Sequence, residues 1–220
     1  MPASLAGCPT NLQEKAMKSP MLKIALLTLS VFALNAGAVE RTYTLDPGHT
    51  QVDFRWSHMG FSTPAAAIHV TDGVLKFDPD APTKASVSLN MPISSIDTRV
   101  PDLDTHLKSA DFFDAAKFPT ASFKSTKVVR EGTSNTYKIY GDLTIKGVTK
   151  PVVLDAKMNN VGEHPMLKIP AVGFDATTSI KRSDFGIGAF VPAVSDKIDI
   201  RITTEALDAV GFAKAMQAAK

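Results

Sequence analysis

The five histidines, His49, His58, His69, His106 and His164, are the side chains of this chain best suited to acid–base or metal chemistry. No two have the spacing of a helical HExxH or of a C2H2 finger. His49 and His58 flank one expected strand, and Asp104 and His106 stand two apart in Pro101-Asp102-Leu103-Asp104-Thr105-His106-Leu107-Lys108. A two-His-plus-carboxylate site, or an Asp104/His106 acid–base pair, would therefore have to be assembled by the fold. No GxSxG elbow marks a serine nucleophile, and Gly186-Ile187-Gly188 is a lone glycine pair, short of a phosphate cradle. The bland reading of each histidine is a satisfied polar group at a strand end. Lys181-Arg182-Ser183-Asp184-Phe185-Gly186 sets two cations beside an aromatic ring and a glycine hinge, as a headgroup-binding rim would. Its plainer reading is a solvated turn with Arg182 paired to a nearby acid.

Strands must position these groups. Gln51-Val52-Asp53-Phe54-Arg55-Trp56-Ser57 alternates strictly, and so do Ser86–Met91 and Lys197–Ile202, which is the pattern of a half-buried antiparallel strand. Weaker candidates are 41–45, 67–77, 121–130, 136–146, 150–160 and 166–179, separated by turn-prone pairs such as Glu131-Gly132 and Asn159-Asn160. The chain is expected to be all-β with one or two short helices, roughly eight or nine strands forming an antiparallel sandwich or barrel. One helix is Pro101–Lys108, with proline at its first position and an acidic first turn. The other is a frayed helix or tail over Ala206–Lys220. The aromatic stretch Phe112-Phe113…Phe118-Pro119 reads as a loop.

Length and composition set limits. A chain of 220 residues with 44% hydrophobic and 21% charged side chains has a globular make-up and enough length for a real core. Residues 1–38 hold Lys15, Lys18 and Lys23 against Glu14, which leaves 21 basic and 21 acidic residues after them. That balance offers no surplus of cations for nucleic acid. Aromatic content is lopsided, 12 Phe against 3 Tyr and 1 Trp, so most large side chains carry no polar handle, as befits a dry core or an apolar cavity. Four Tyr and Trp residues cannot supply the two girdles of an outer-membrane barrel.

The segment from Met21 reads as an export signal. Lys23, the apolar run Ile24–Leu34 and Ala36-Gly37-Ala38 form its three parts, with cleavage expected after Ala38. The run is too short to span a bilayer. Residues 1–20 are expected to be a disordered or non-native extension, with Met1, Met17 and Met21 all plausible starts. Residues 39–220 are then one domain. The only cysteine, Cys8, precedes the cleavage point, so the expected mature chain has no disulfide, thiolate ligand or lipoprotein cysteine.

Taken in order, several stretches resemble the YceI-like family of exported lipid-binding proteins. They are Leu45-Asp46-Pro47-Gly48-His49-Thr50 leading to the Phe54 strand and His58; Ser95-Ile96-Asp97-Thr98; Leu103-Asp104-Thr105-His106-Leu107 with Ser109-Ala110-Asp111-Phe112-Phe113; Phe118–Thr126; Gly141–Val152; and Arg182-Ser183-Asp184-Phe185-Gly186. The resemblance covers nearly all of 42–206. It implies an extended, lipocalin-like barrel with a central apolar tunnel for a long isoprenoid or fatty chain, and no established catalysis. Leu103 stands where the family commonly carries an arginine, and 61–69 lacks the usual glycine-containing stretch, which implies a different tunnel mouth.

The expectation is therefore a periplasmic carrier or store for a long-chain amphiphilic lipid, such as an isoprenoid quinone or polyprenyl compound. It would use no other cofactor or metal, bind no nucleic acid and span no membrane; a homodimer is allowed. Expected wall residues are Phe54, Trp56, Leu89, Met91, Phe112, Phe113, Phe118, Phe123 and Phe185; expected rim residues are His49, His58, Asp104, His106 and Arg182. Two other outcomes compete: an enzyme on an apolar substrate using Asp104 with His106, and a solid-cored, stress-linked interaction protein.

Overall fold

The alternating segments become strands, and the strands close on themselves. A computed structural model describes residues 39–218; the expected extension and export signal, 1–20 and 21–38, lie outside the described residues. The elements are β1 (Arg41–Leu45), β2 (Gln51–Arg55), β3 (Ala65–Ile68), β4 (Asp72–Phe77), β5 (Ser86–Pro92), α1 (Pro101–Lys108), β6 (Thr120–Arg130), β7 (Thr136–Ile145), β8 (Val148–Glu163), β9 (Pro170–Lys181), β10 (Lys197–Asp208) and α2 (Ala209–Ala218). All sheet neighbours are antiparallel, in the order β1-β4-β5-β6-β7-β8-β9-β10, and β1 pairs back onto β10. The result is a closed eight-stranded barrel with two helices.

β10 carries the closure because it is long. Its Ala206–Asp208 end pairs with β1, and its Asp199–Thr203 part pairs with β2. β1 and β2 thus stand end to end along one neighbour, joined by the 46–50 turn, and β3 hydrogen-bonds to β2 beyond them. This arrangement splits the expected single strand over 67–77. β3 belongs with β2 and β4 belongs with β1, so the chain must change partners between Ile68 and Asp72. Similarly, Ala206–Asp208 finish β10 rather than open a helix, and α2 starts at Ala209. Register shifts at Ser125/Lys127 in β6 and Met158/Asn160 in β8 add the local twist that a curving wall needs.

Side-chain sizes on the inner face are unequal. Phe77, Phe123 and Phe174 face the same cavity as Ala156 and Ala176, which are paired across β8 and β9. Gly141 on β7 makes room for one ring: a Cβ there would stand 2.4 Å from Phe123 Cζ and 2.6 Å from the Lys124 carbonyl oxygen. A row of small side chains beside large ones leaves unfilled space in an eight-stranded barrel that is otherwise just wide enough to fill.

Candidate ligand chambers

The barrel holds two apolar cavities with no lining residue in common. They follow one another along the same strands. On β2, Val52 lines the first and Phe54 the second; on β10, Ile202 and Ile198 divide in the same way, as do Ala176 and Ile180 on β9. The expected single tunnel is therefore two chambers in series. Ile200 falls between Ile198 and Ile202 along β10, and Leu143 between Ile139 and Ile145 along β7.

The inner chamber, about 100 Å³, is walled chiefly by strands. Leu89 and Phe123 of the expected wall line it, together with Leu75, Phe77 and Phe174. The Leu75-x-Phe77 and Phe174-x-Ala176 alternations are the sequence signal that could have found these further residues. The only polar side chains here are hydroxyls. The buried Thr50 shares a 2.7 Å hydrogen bond with Thr204, and the Tyr137 hydroxyl is buried without a partner.

The outer chamber, about 310 Å³, combines strand ends with loops and α1. Phe54, Trp56, Phe112, Phe113 and Phe185 line it, and so do His58 and His106. Phe54 stacks on Trp56 at 5.9 Å and meets Phe113 edge-on at 6.1 Å. The chamber reaches the surface where His58, Met59, His106 and Phe190 are all exposed. The His106 ring stands edge-on to Phe112 at 4.8 Å, and Phe190 stacks over Phe112 at 6.3 Å. Leu103 adds apolar wall.

Four expected site residues line neither chamber. Met91 is buried in the core opposite Ala121 and lines neither chamber. Phe118 lies outside both: its ring packs against Gly147, with the Lys117 ammonium 5.2 Å above it. His49 is exposed in the 46–50 turn, where its Nδ1 meets the Asp46 carboxylate at 2.6 Å. Asp104 anchors α1. Its Oδ1 accepts from the Thr98 hydroxyl at 2.6 Å and the Thr98 backbone N–H at 2.7 Å, and these bonds hold its carboxyl below the ordinary carboxylate range. Asp104 and His106 thus form no acid–base couple, since residues two apart on a helix do not share a face.

Arg182 corrects both readings of its motif. It is 7% exposed, neither a solvated turn nor an open rim. Its Nε donates to the Ser195 carbonyl at 2.9 Å, Nη1 to Ile187 at 2.8 Å and Nη2 to Val194 at 2.9 Å. Burial pulls its pKa down from the usual guanidinium value, with Asp196 opposing. The Asp196 carboxylate in turn accepts the Ser183 backbone N–H and hydroxyl at 2.9 and 2.8 Å, and the backbone bond lowers its pKa most. Arg182 therefore borders the outer chamber while pinning both ends of the 186–195 loop. Among the described residues, no three His, Cys, Asp or Glu side chains converge as metal ligands, and no helix is long and apolar enough to cross a membrane.

Comparison with known proteins places this architecture. Residues 43–206 match the model of the YceI-like domain. A UPF0312 protein of Photorhabdus laumondii is 39% identical over 190 residues, covering 84% of this chain and 97% of that protein. Protein YceI of Escherichia coli O157:H7 is 36% identical over 189 residues, covering 86% and 97%. Among solved structures, BcnA of Burkholderia cenocepacia superposes with a TM-score of 0.65 at 24% identity, over 73% of this chain and 98% of that one. A polyisoprenoid binding domain from Saccharophagus degradans does so with a TM-score of 0.58 at 11% identity, over 76% and 98%. The last two likenesses concern the fold alone.

Proposed function

Because this chain belongs to the YceI-like family, we propose that it is a periplasmic carrier or store for a long-chain apolar lipid, an isoprenoid quinone or polyprenyl compound by preference. It binds its guest without transforming it. One observation carries the reading: two chambers lie in series inside one barrel, almost wholly apolar, with imidazoles at the outer mouth. The polyisoprenoid binding domain that shares the fold supports the choice of guest. Each buried methylene contributes about 0.8 kcal/mol, so an alkyl or isoprenoid tail binds through area alone. His58 and His106 are the polar groups that a head would meet.

In this reading the tail enters past Phe190 and fills the outer chamber. A longer tail displaces the Ile200 and Leu143 side chains to reach the inner one. A guest that binds only the folded barrel raises its stability by mass action. Organic extraction should therefore lower the melting temperature, and reloading with the extracted lipid should restore it. Native mass spectrometry of protein from its own source should show a bound mass that extraction removes. An identical melting curve before and after extraction, with no bound mass, rejects the carrier.

A further inference from the structure

Two loops frame the mouth of the outer chamber, and both lack charge. From Met59 to Pro64, just before β3 begins, and from Phe185 to Ser195, no residue is acidic or basic, in a chain with 21% charged side chains. The loops are stitched together. The Met59 backbone N–H donates to the Ala193 carbonyl at 2.8 Å, the Ser195 N–H donates to Ser57 at 2.9 Å, and the Ser57 N–H donates to the Ser195 hydroxyl at 2.9 Å. Their apolar side chains point outward all the same: Phe61 is 92% exposed, Phe190 60% and Met59 56%. Met59 and Phe190 also hold left-handed backbone, φ 52° and 63°, a conformation that bulky side chains avoid and that persists where the surroundings impose it.

We propose that this collar docks the barrel on the surface of a lipid bilayer, with Phe61, Met59 and Phe190 dipping among the lipids so that the outer chamber opens directly into hydrocarbon. The inference rests on the outer chamber being a lipid site. Every methylene exposed to water on the way from membrane to chamber disfavours transfer, and a collar continuous with the chamber lining removes that aqueous step. An uncharged patch with apolar tips suits a neutral membrane interface. A charged protein partner would call for opposite charges around the rim, and these two loops carry none.

The test is flotation of the full protein with vesicles of phosphatidylethanolamine and phosphatidylcholine. The wild type should float and should still do so in about 0.5 M NaCl, because the contact is not electrostatic. Phe61→Asp should partition at least tenfold more weakly with an unchanged melting curve, and Phe61→Trp should retain binding. Loading with parinaric acid separates this inference from the carrier reading. Delivered from ethanol, the probe should bind wild type and Phe61→Asp alike; delivered from vesicles, it should load the variant at least tenfold more slowly. A wild type that stays at the bottom of the gradient, or a Phe61→Asp that floats equally well, overturns the collar even if ethanol loading succeeds. Failure of ethanol loading rejects the carrier, and flotation still decides the collar.

Discussion

The inner and outer chambers share strands but are built on different principles. Pleated wall makes up most of the inner one, and its 100 Å³ of space exists because Ala156 and Ala176 face the rings of Phe77, Phe123 and Phe174. The outer one is three times larger, 310 Å³, and most of its lining comes from α1 and from loops, two of which Arg182 and the 57–59 segment tie down. Barrel strands can be altered only by repacking a whole row. Loops anchored at their ends can admit a guest between the anchors. Under the proposed carrier function, entry falls to the outer chamber and chain-length selection to the inner one.

The sharpest way to break this division is to cut the loop anchor. Arg182→Leu leaves three carbonyls without their donor at the chamber's edge, each costing about 1 kcal/mol or more. It should destabilise the fold by about 3–5 kcal/mol in urea unfolding and abolish lipid retention in the protein that remains folded. A loss below about 1 kcal/mol would mean that the loops hold themselves in place.

A smaller effect separates the chambers. Ala156→Leu should fill most of the inner space, changing stability by no more than about 1 kcal/mol because added burial offsets crowding. Affinity for a long isoprenoid should fall at least tenfold, while a short-chain analogue confined to the outer chamber should bind as before, both followed by Trp56 fluorescence. Equal loss for both chain lengths would show that the two cavities act as one.

The smallest expected change lies far from either chamber. Asp46 accepts a hydrogen bond from the His49 ring and raises its pKa above the ordinary 6.5. A folded pKa above the unfolded one contributes stability that is complete below pH 6.5 and is lost as pH rises through the folded value. His49→Ala should thus lower the melting temperature by a degree or two at pH 5.5, have no effect at pH 8, and leave lipid loading untouched. A loading defect would return His49 to the rim.

Much of this plan was legible in the chain. Strict alternation at Val52, Phe54 and Trp56, and again at Ile198, Ile200 and Ile202, places the inner faces of β2 and β10, and both strands appear where the period predicts. The Pro101–Lys108 helix begins at its proline for the same local reason. Misreadings arose where a role depends on distant partners. Phe118 and Met91 have the chemistry of a cavity wall, but Gly147 covers one and the core encloses the other. Asp104 looks like half of an acid–base pair until Thr98, six residues earlier, takes its carboxylate. Nothing local to Arg182 foretells that carbonyls five, twelve and thirteen residues onward will claim its guanidinium.

By itself, then, the order of residues determined the period-two strands, their antiparallel all-β class, the short proline-started helix and the wealth of apolar rings, because each follows from a side chain's nearest neighbours along the backbone. Only the tertiary structure decided that the bore divides in two, which histidines reach its mouth, and that two uncharged loops meet there. These are properties of closure, which brings β1 to β10 and residue 59 to residue 193, and closure depends on how unequal side chains fill the space between strands far apart in sequence.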